Sequence, residues 1–200
     1  TPWTLTSNVI AGVQGNLESV KLQTPDVSIY YLAQENLEFA RLEKQYKDKK
    51  QWIDGLPKLK TISQIFKERG GYEIVGKVRG EDMVGWKYSA PFDDLEAQSE
   101  LGGYPIRNDA LADKGKCGKA EHRVINPGKD NLGSDIVVGG EGTGIVHMAP
   151  GCGDIDHKVG KKLNTISIAP LDEESRFTSK FGWLSGKKAT DKETIDQILA

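Results

Sequence analysis

The segment GTGIVHMAPGCGDID, residues 142–156, constrains this chain more than any other, because it dictates a strand, a rigid turn and a helix start in immediate succession. Gly142, Gly144, Gly151 and Gly153 permit positive φ and close approach to the backbone, and Pro150 after Ala149 fixes the turn that follows the strand bearing His147. That strand is expected to end at a pocket wall. Asp154 and Asp156 then fall at or just before the start of a helix containing Val159 and Leu163, where a carboxylate either caps the helix or faces a cationic ligand.

Upstream, residues 9–15 alternate weakly and end at the turn Gly15-Asn16, and residues 19–22 and 28–32 are short β-rich runs separated by Thr24-Pro25-Asp26. From Asn36 the period becomes helical. Leu37, Ala40, Leu42, Tyr46 and Trp52 predict one amphipathic helix capped by Asn36, and Leu59, Ile62, Ile65 and Phe66 predict a second, together a helical insertion over residues 35–70. Residues 72–78 and 83–88 read as strands, and 93–130 as a long polar surface excursion with at most one short helix. Strand composition returns at 124–125, 136–138, 144–148 and 166–169, with helices expected over 156–163 and 191–199. Antiparallel runs mixed with helices, without regular βαβ alternation, predict an α+β domain around a closed or partly closed sheet.

A chain of 200 residues is the usual size of one domain, so residues 1–200 are read as a single unit. Its 27 basic and 29 acidic side chains leave a formal charge of -2, which excludes the basic excess that drives phosphate binding; the body of any nucleic-acid ligand must be held elsewhere. Cys117 and Cys152 have no CxxC spacing, which argues against a disulfide scaffold or a structural zinc site and fits a reducing, cytoplasmic compartment. No apolar run approaches the ~20 residues of a membrane span, and no membrane partner is expected. The chain begins at Thr1, without methionine and inside a motif, as expected of a piece of a longer polypeptide.

That first motif, TPWTLTSN over residues 1–8, pairs with the 142–156 segment. Together they resemble the signature of the editing (connective polypeptide 1) domain of the isoleucyl-tRNA synthetases, class I aminoacyl-tRNA synthetases in which TTTPWTLPxN precedes GTGxVHxAPGxGxxD. A weaker third anchor of the form G-x-x-L-x-G-x-x-Y-x-P-x-F matches Gly80, Gly85, Tyr88 and Phe92. The resemblance covers most of 1–33 and 71–200, less so 35–69 and 93–122. It implies a distorted β-barrel flanked by helices, and the hydrolysis of valine misattached to tRNA(Ile), with no cofactor and no metal. The implied ligands are the acceptor end of Val-tRNA(Ile) and valyl-adenylate, and the implied partner is the remainder of the parent synthetase in cis.

Asp156 is an N-cap on sequence grounds, and by resemblance the carboxylate that binds the substrate α-ammonium. His147 is by default a core or rim residue; the resemblance makes it a lining residue that excludes the larger isoleucine side chain, with a weaker role as general base. Thr1, Thr4 and Asn8 are short polar groups able to hold a water and the ribose hydroxyls of the terminal adenosine, although Thr4 or Thr6 equally well caps a turn. Thr1 thus joins His147 and Asp156 in the implied catalytic set. Trp3 and Gly144 complete the implied substrate-binding set, Trp3 also being a natural core residue.

Cys152, His147, Asp156 and His157 form an alternative metal site or Cys-His nucleophile, disfavoured by their spacing. Residues 140–144, GEGTG, lack the lysine of a phosphate loop. The HIGH and KMSKS signatures of aminoacylation are absent from the chain. The competing functional reading is a module that binds the aminoacylated acceptor end without turning it over.

Overall fold

The computed structural model describes residues 1–39, 59–140 and 142–200. Most of the first helix expected in the 35–70 insertion lies outside the described residues. Two compact units divide the chain: one contains Thr1–Gly12, Gly85–Ile125 and His147–Ala200, the other Val13–Val84 and Asn126–Val146.

The first unit contains most of a three-stranded sheet in the order β5-β1-β6, in which β1 (Ile10–Val13) lies between β5 (Val124–Ile125) and β6 (Ile145–Met148). β1 pairs in parallel with β5, Ala11 opposite Val124 and Gly12 opposite Ile125. A central strand covered on both faces should be apolar throughout, and Val9 and Ile10 are fully buried. Met148, Ile166, Ile168, Phe177, Phe181 and Leu184 are buried with them; the Phe177 and Phe181 ring centroids lie 5.7 Å apart. Each such side chain contributes roughly 1.5–3 kcal/mol by leaving water.

The 93–130 stretch is not a surface excursion. Around Leu95, Ala97, Leu111, Ala112 and Cys117, all buried, the chain forms three single-turn helices, Glu96–Ser99, Asp109–Ala112 and Gly118–Glu121. Its polar residues mislead because several are buried with partners. Gln98 donates to the carbonyls of Thr6 (2.9 Å) and Asn8 (3.0 Å), and Glu121 pairs with Lys116 at 3.0 Å. His122 is held by Asp93 and by the carbonyl of Val9. A buried polar atom that finds a partner costs little, so polarity alone does not place a segment at the surface, although Gln98 Oε1 is buried without one.

In the second unit β2 (Glu18–Gln23) lies between β3 (Ile29–Ala33) and β4 (Glu73–Arg79), antiparallel to both, with Val20 opposite Leu32 and Lys77. Val20, Leu22, Leu32 and Leu37 form its core, packed by Ile62, Phe66 and Tyr72. Ile62 and Phe66 lie on the helix Ile62–Glu68, whose start is a capping box: the Thr61 hydroxyl accepts from Gln64 N–H, and Gln64 Oε1 accepts from Thr61 N–H. This is the second helix of the expected pair.

The α+β class is as expected, but the sheets are open rather than closed into a barrel. Among the described residues β5 is two residues long, and pairing beyond the named strands continues as isolated bridges such as Lys87–Arg123 and Tyr104–Ile168. Closure needs a ladder carried unbroken round the ring. The strand expected at 83–88 shrinks to the Lys87 bridge, because Gly80–Met83 closes a helical turn first. That at 166–169 likewise reduces to a bridge at Ile168, and 136–138 forms no strand, the bridge beside it lying at Asp135.

Candidate functional site

Two segments of the first unit assemble the site, and both take their shape locally. Residues Pro2–Ser7 wind into a 3-10 turn started by Pro2, which supplies the required φ and needs no donor. Its threonines bond backward: Thr4 Oγ1 donates to the Thr1 carbonyl at 2.7 Å and Thr6 Oγ1 to the Trp3 carbonyl at 2.8 Å, the turn-stabilising role open to them from sequence. Gln98 clamps the end of this turn through the Thr6 and Asn8 carbonyls.

The second segment leaves β6 at Met148, turns at Pro150, and enters the helix Asp154–Leu163. Gly151 is required here by close approach, since a Cβ would lie 2.1 Å from the Ile168 carbonyl oxygen. The helix N-cap is Gly153, not Asp156, and Asn164 ends it in the left-handed region at φ 52°. Asp156 therefore sits inside the first turn with its side chain turned back, Oδ2 accepting from the Ala149 N–H at 2.8 Å. Burial pushes its carboxyl pKa up, against the lowering effect of that hydrogen bond.

His147 joins the two segments. Its Nδ1 lies 2.8 Å from Asn8 Nδ2 and its Nε2 lies 3.1 Å from Thr4 Oγ1. Asn8 Nδ2 also donates to the Ile10 carbonyl at 3.1 Å, which fixes the amide with its donors toward the ring. Nδ1 must then accept. Thr4 spends its own proton on Thr1, so it accepts from Nε2–H, and the ring is the neutral Nε2–H tautomer. Burial pushes His147 down to about 4, consistent with a neutral imidazole. With both nitrogens engaged, His147 has no free lone pair to act as general base; it is a fixed, uncharged ring.

Of the residues picked from sequence, Thr4, Asn8, His147 and Asp156 gather on these two segments, with Thr1 exposed at the mouth of the turn and Trp3 half-buried on it. Asn8 is 5% exposed and its amide is taken up by protein groups, so it supports His147 rather than meeting a ribose. Gly144 belongs to the second unit, where its φ of +75° and its close fit to Ala33, 2.5 Å from a notional Cβ, account for the glycine. Cys152 is no nucleophile at neutral pH: burial pushes its thiol up to about 11, and its Sγ lies 3.8 Å from the Ile168 carbonyl oxygen. Both cysteines are free, and no group of three or more His, Cys, Asp or Glu side chains among the described residues could hold a metal ion.

Sequence reasoning passed over Gln98, Asp93 and His122, which lay in the stretch read as surface. Tyr88 was marked only as a motif letter; its hydroxyl donates to Asn8 Oδ1 at 2.7 Å.

No family model matches the chain. It is similar to isoleucine–tRNA ligases: 30% identical over 182 residues to that of Methanocaldococcus jannaschii, covering 88% of this chain and 14% of the ligase. Against the Sulfolobus acidocaldarius ligase it is 25% identical over 201 residues, 99% of this chain and 15% of the ligase. Among solved structures, the crystal structure of GlLeuRS-CP1 superposes with TM-score 0.46 at 14% identity, over 98% of this chain and 60% of that chain. The class the two ligases share is the aminoacyl-tRNA synthetases. The chain belongs to the isoleucyl-tRNA synthetase family. It spans 13–15% of the length of the ligases it matches.

Proposed function

We propose that this segment edits: it hydrolyses the ester of Val-tRNA(Ile), working in cis with the rest of a synthetase, and accepts valyl-adenylate as a second ligand. The observation that carries this reading is the hydrogen-bonded set Thr4–His147–Asn8 beside a half-buried Asp156 whose Oδ2 is tied to Ala149 N–H. Oδ1 of Asp156 is left to take the α-ammonium that every aminoacyl ester carries, and a charge-assisted bond there orients the ester carbonyl. Water attacks the carbonyl carbon, the bond to the terminal ribose oxygen breaks, the proton lost by the water passes to that oxygen, and valine is released.

Selectivity follows from size. Valine differs from isoleucine by one methylene, worth only about 1–3 kcal/mol in a binding pocket, so a synthetic site admits valine too often. The second pocket sorts in the opposite direction. His147, locked at both nitrogens, cannot swing aside, and an immobile wall is what rejects one extra methylene. Neither His147 nor Cys152 supplies a base or nucleophile, so catalysis rests on positioning of water and ester by the Thr1–Thr4 turn and Asp156.

The test is deacylation of Val-tRNA(Ile) by this chain and by its Asp156→Ala variant. Hydrolysis by the first and loss in a folded second is the expected result. Tight binding of the charged acceptor end with no hydrolysis by either would replace editing with a binding-only module.

A further inference from the structure

Tyr88 stands behind the site rather than in it, and its surroundings are more elaborate than a filler ring needs. Its hydroxyl donates to Asn8 Oδ1 at 2.7 Å. Its ring lies on the His122 imidazole, centroids 4.9 Å apart and planes 14° from parallel. His122 is itself immobile: Nδ1 lies 3.0 Å from the Val9 carbonyl oxygen, Nε2 lies 2.7 Å from Asp93 Oδ1, and its side chain is 1% exposed. Both ring nitrogens are thus held by protein groups, which fixes the plane of the ring.

These contacts form one continuous path. Asp93 and the Val9 backbone fix the plane of His122; His122 fixes the plane of Tyr88; the hydroxyl of Tyr88 meets the one side of the Asn8 amide that the Ile10 carbonyl and His147 do not use. Asn8 has a single oxygen, buried, and rotating the amide would turn that oxygen against the Ile10 carbonyl. A donor from Tyr88 therefore completes the satisfaction of Asn8 in the only orientation that offers His147 Nδ1 a proton donor.

We propose that Tyr88, seated on the Asp93–His122 pair, is a positioning residue that holds Asn8 and through it keeps His147 in a single Nε2–H tautomer and a single ring orientation. Burial raises the phenol pKa above its ordinary value, so the hydroxyl remains a donor throughout the neutral range. The proposal rests on His147 being the wall of the editing pocket only for its consequence for selectivity; the consequence for the imidazole stands alone.

The experiment is imidazole nitrogen NMR of the folded chain, with deacylation kinetics beside it. The wild type should show His147 as one species, Nε2 protonated and Nδ1 accepting. Tyr88→Phe keeps the ring and its stack and removes one hydroxyl; the His147 resonances should broaden into exchange or shift at Nδ1, while the ratio of valyl to isoleucyl deacylation rates falls about tenfold and kcat for Val-tRNA(Ile) changes less than twofold. An unaltered His147 spectrum in a folded Tyr88→Phe protein overturns the proposal. Should Tyr88→Phe not fold, Asn8→Asp replaces the donor by an acceptor, and the ring should pass to the Nδ1–H form; persistence of the Nε2–H form overturns the proposal equally. A His147 spectrum that responds as expected in a wild type that does not deacylate Val-tRNA(Ile) upholds the positioning role and sinks the editing reading alone.

Discussion

Asn8 Nδ2 and His147 Nδ1 lie 2.8 Å apart across 139 residues of sequence, so the loop before β1 and the end of β6 are joined by one hydrogen bond at the centre of the site. That bond settles the tautomer of His147: the ring is neutral and its Nδ1 lone pair is already taken. The predictions below follow from this relationship and from the neighbouring position of Asp156.

Replacing Asp156 by Asn preserves the shape of the side chain, and a carboxamide oxygen still accepts from Ala149 N–H. It removes the charge that meets an ammonium. A charge-assisted hydrogen bond contributes about 1.5–3 kcal/mol, so kcat/KM for Val-tRNA(Ile) should fall roughly 10- to 150-fold with the thermal midpoint nearly unchanged. Steady-state deacylation alongside thermal melting checks both halves; full activity in Asp156→Asn would remove the ammonium contact from the account.

His147→Ala should open the pocket by the volume of the ring and admit Ile-tRNA(Ile), which the wild type leaves intact. The measurement is the ratio of valyl to isoleucyl deacylation rates. An unchanged ratio in a folded variant would show that another side chain forms the wall.

Much of this was legible beforehand, and the failures share a cause. β1, β2, β3, β4 and the helices at Ile62–Glu68, Asp154–Leu163 and Lys192–Leu199 carry local signals, such as the alternating 19–22 run and the Thr61–Gln64 box, and were read close to where they lie. His147, Thr4, Asn8 and Asp156 were found because motif letters marked them, but their partners were not. Gln98 and His122 are buried through contacts with Thr6, Asn8, Val9 and Asp93, and such long-range satisfaction leaves no periodicity in the sequence. The barrel failed similarly: strand composition at 136–138 and 166–169 is real, but ladder continuity is a tertiary property.

Gln98→Ala should destabilise the first unit by at least about 2 kcal/mol, because it opens a gap and strips two buried carbonyls, those of Thr6 and Asn8, of their donor. Gln98→Glu should cost more, since one or both of those carbonyls would face an acceptor. Denaturant midpoints of the three proteins order them; equal midpoints would show that the clamp is not a source of stability.

The pH dependence of stability has a definite sign. His147 titrates near 4 in the fold and at about 6.5 when unfolded, so between those values the unfolded chain binds a proton that the folded chain does not. Stability should therefore fall as pH drops from about 6.5 toward about 4, and this contribution should be flat above about 7. The half-buried ring is partly screened, which puts the loss at about 1–2 kcal/mol. Asp156, its pKa raised by burial, acts in the opposite sense on ionising, but it is common to both proteins when wild type is compared with His147→Gln. The difference between their stability curves should shrink steadily below pH 6.5; a pH-independent difference would contradict the assigned neutral ring.

The most direct test of the editing pocket is titration calorimetry with non-hydrolysable valyl- and isoleucyl-adenosine mimics and with uncharged tRNA(Ile). With a formal charge of -2 the segment lacks the basic excess needed to hold an RNA body, so its ligand should be the aminoacylated terminal adenosine. The account predicts clear binding of the valyl mimic, at least tenfold weaker binding of the isoleucyl mimic, and little binding of the uncharged tRNA. Strong, salt-sensitive binding of uncharged tRNA with no preference between the two mimics would contradict it.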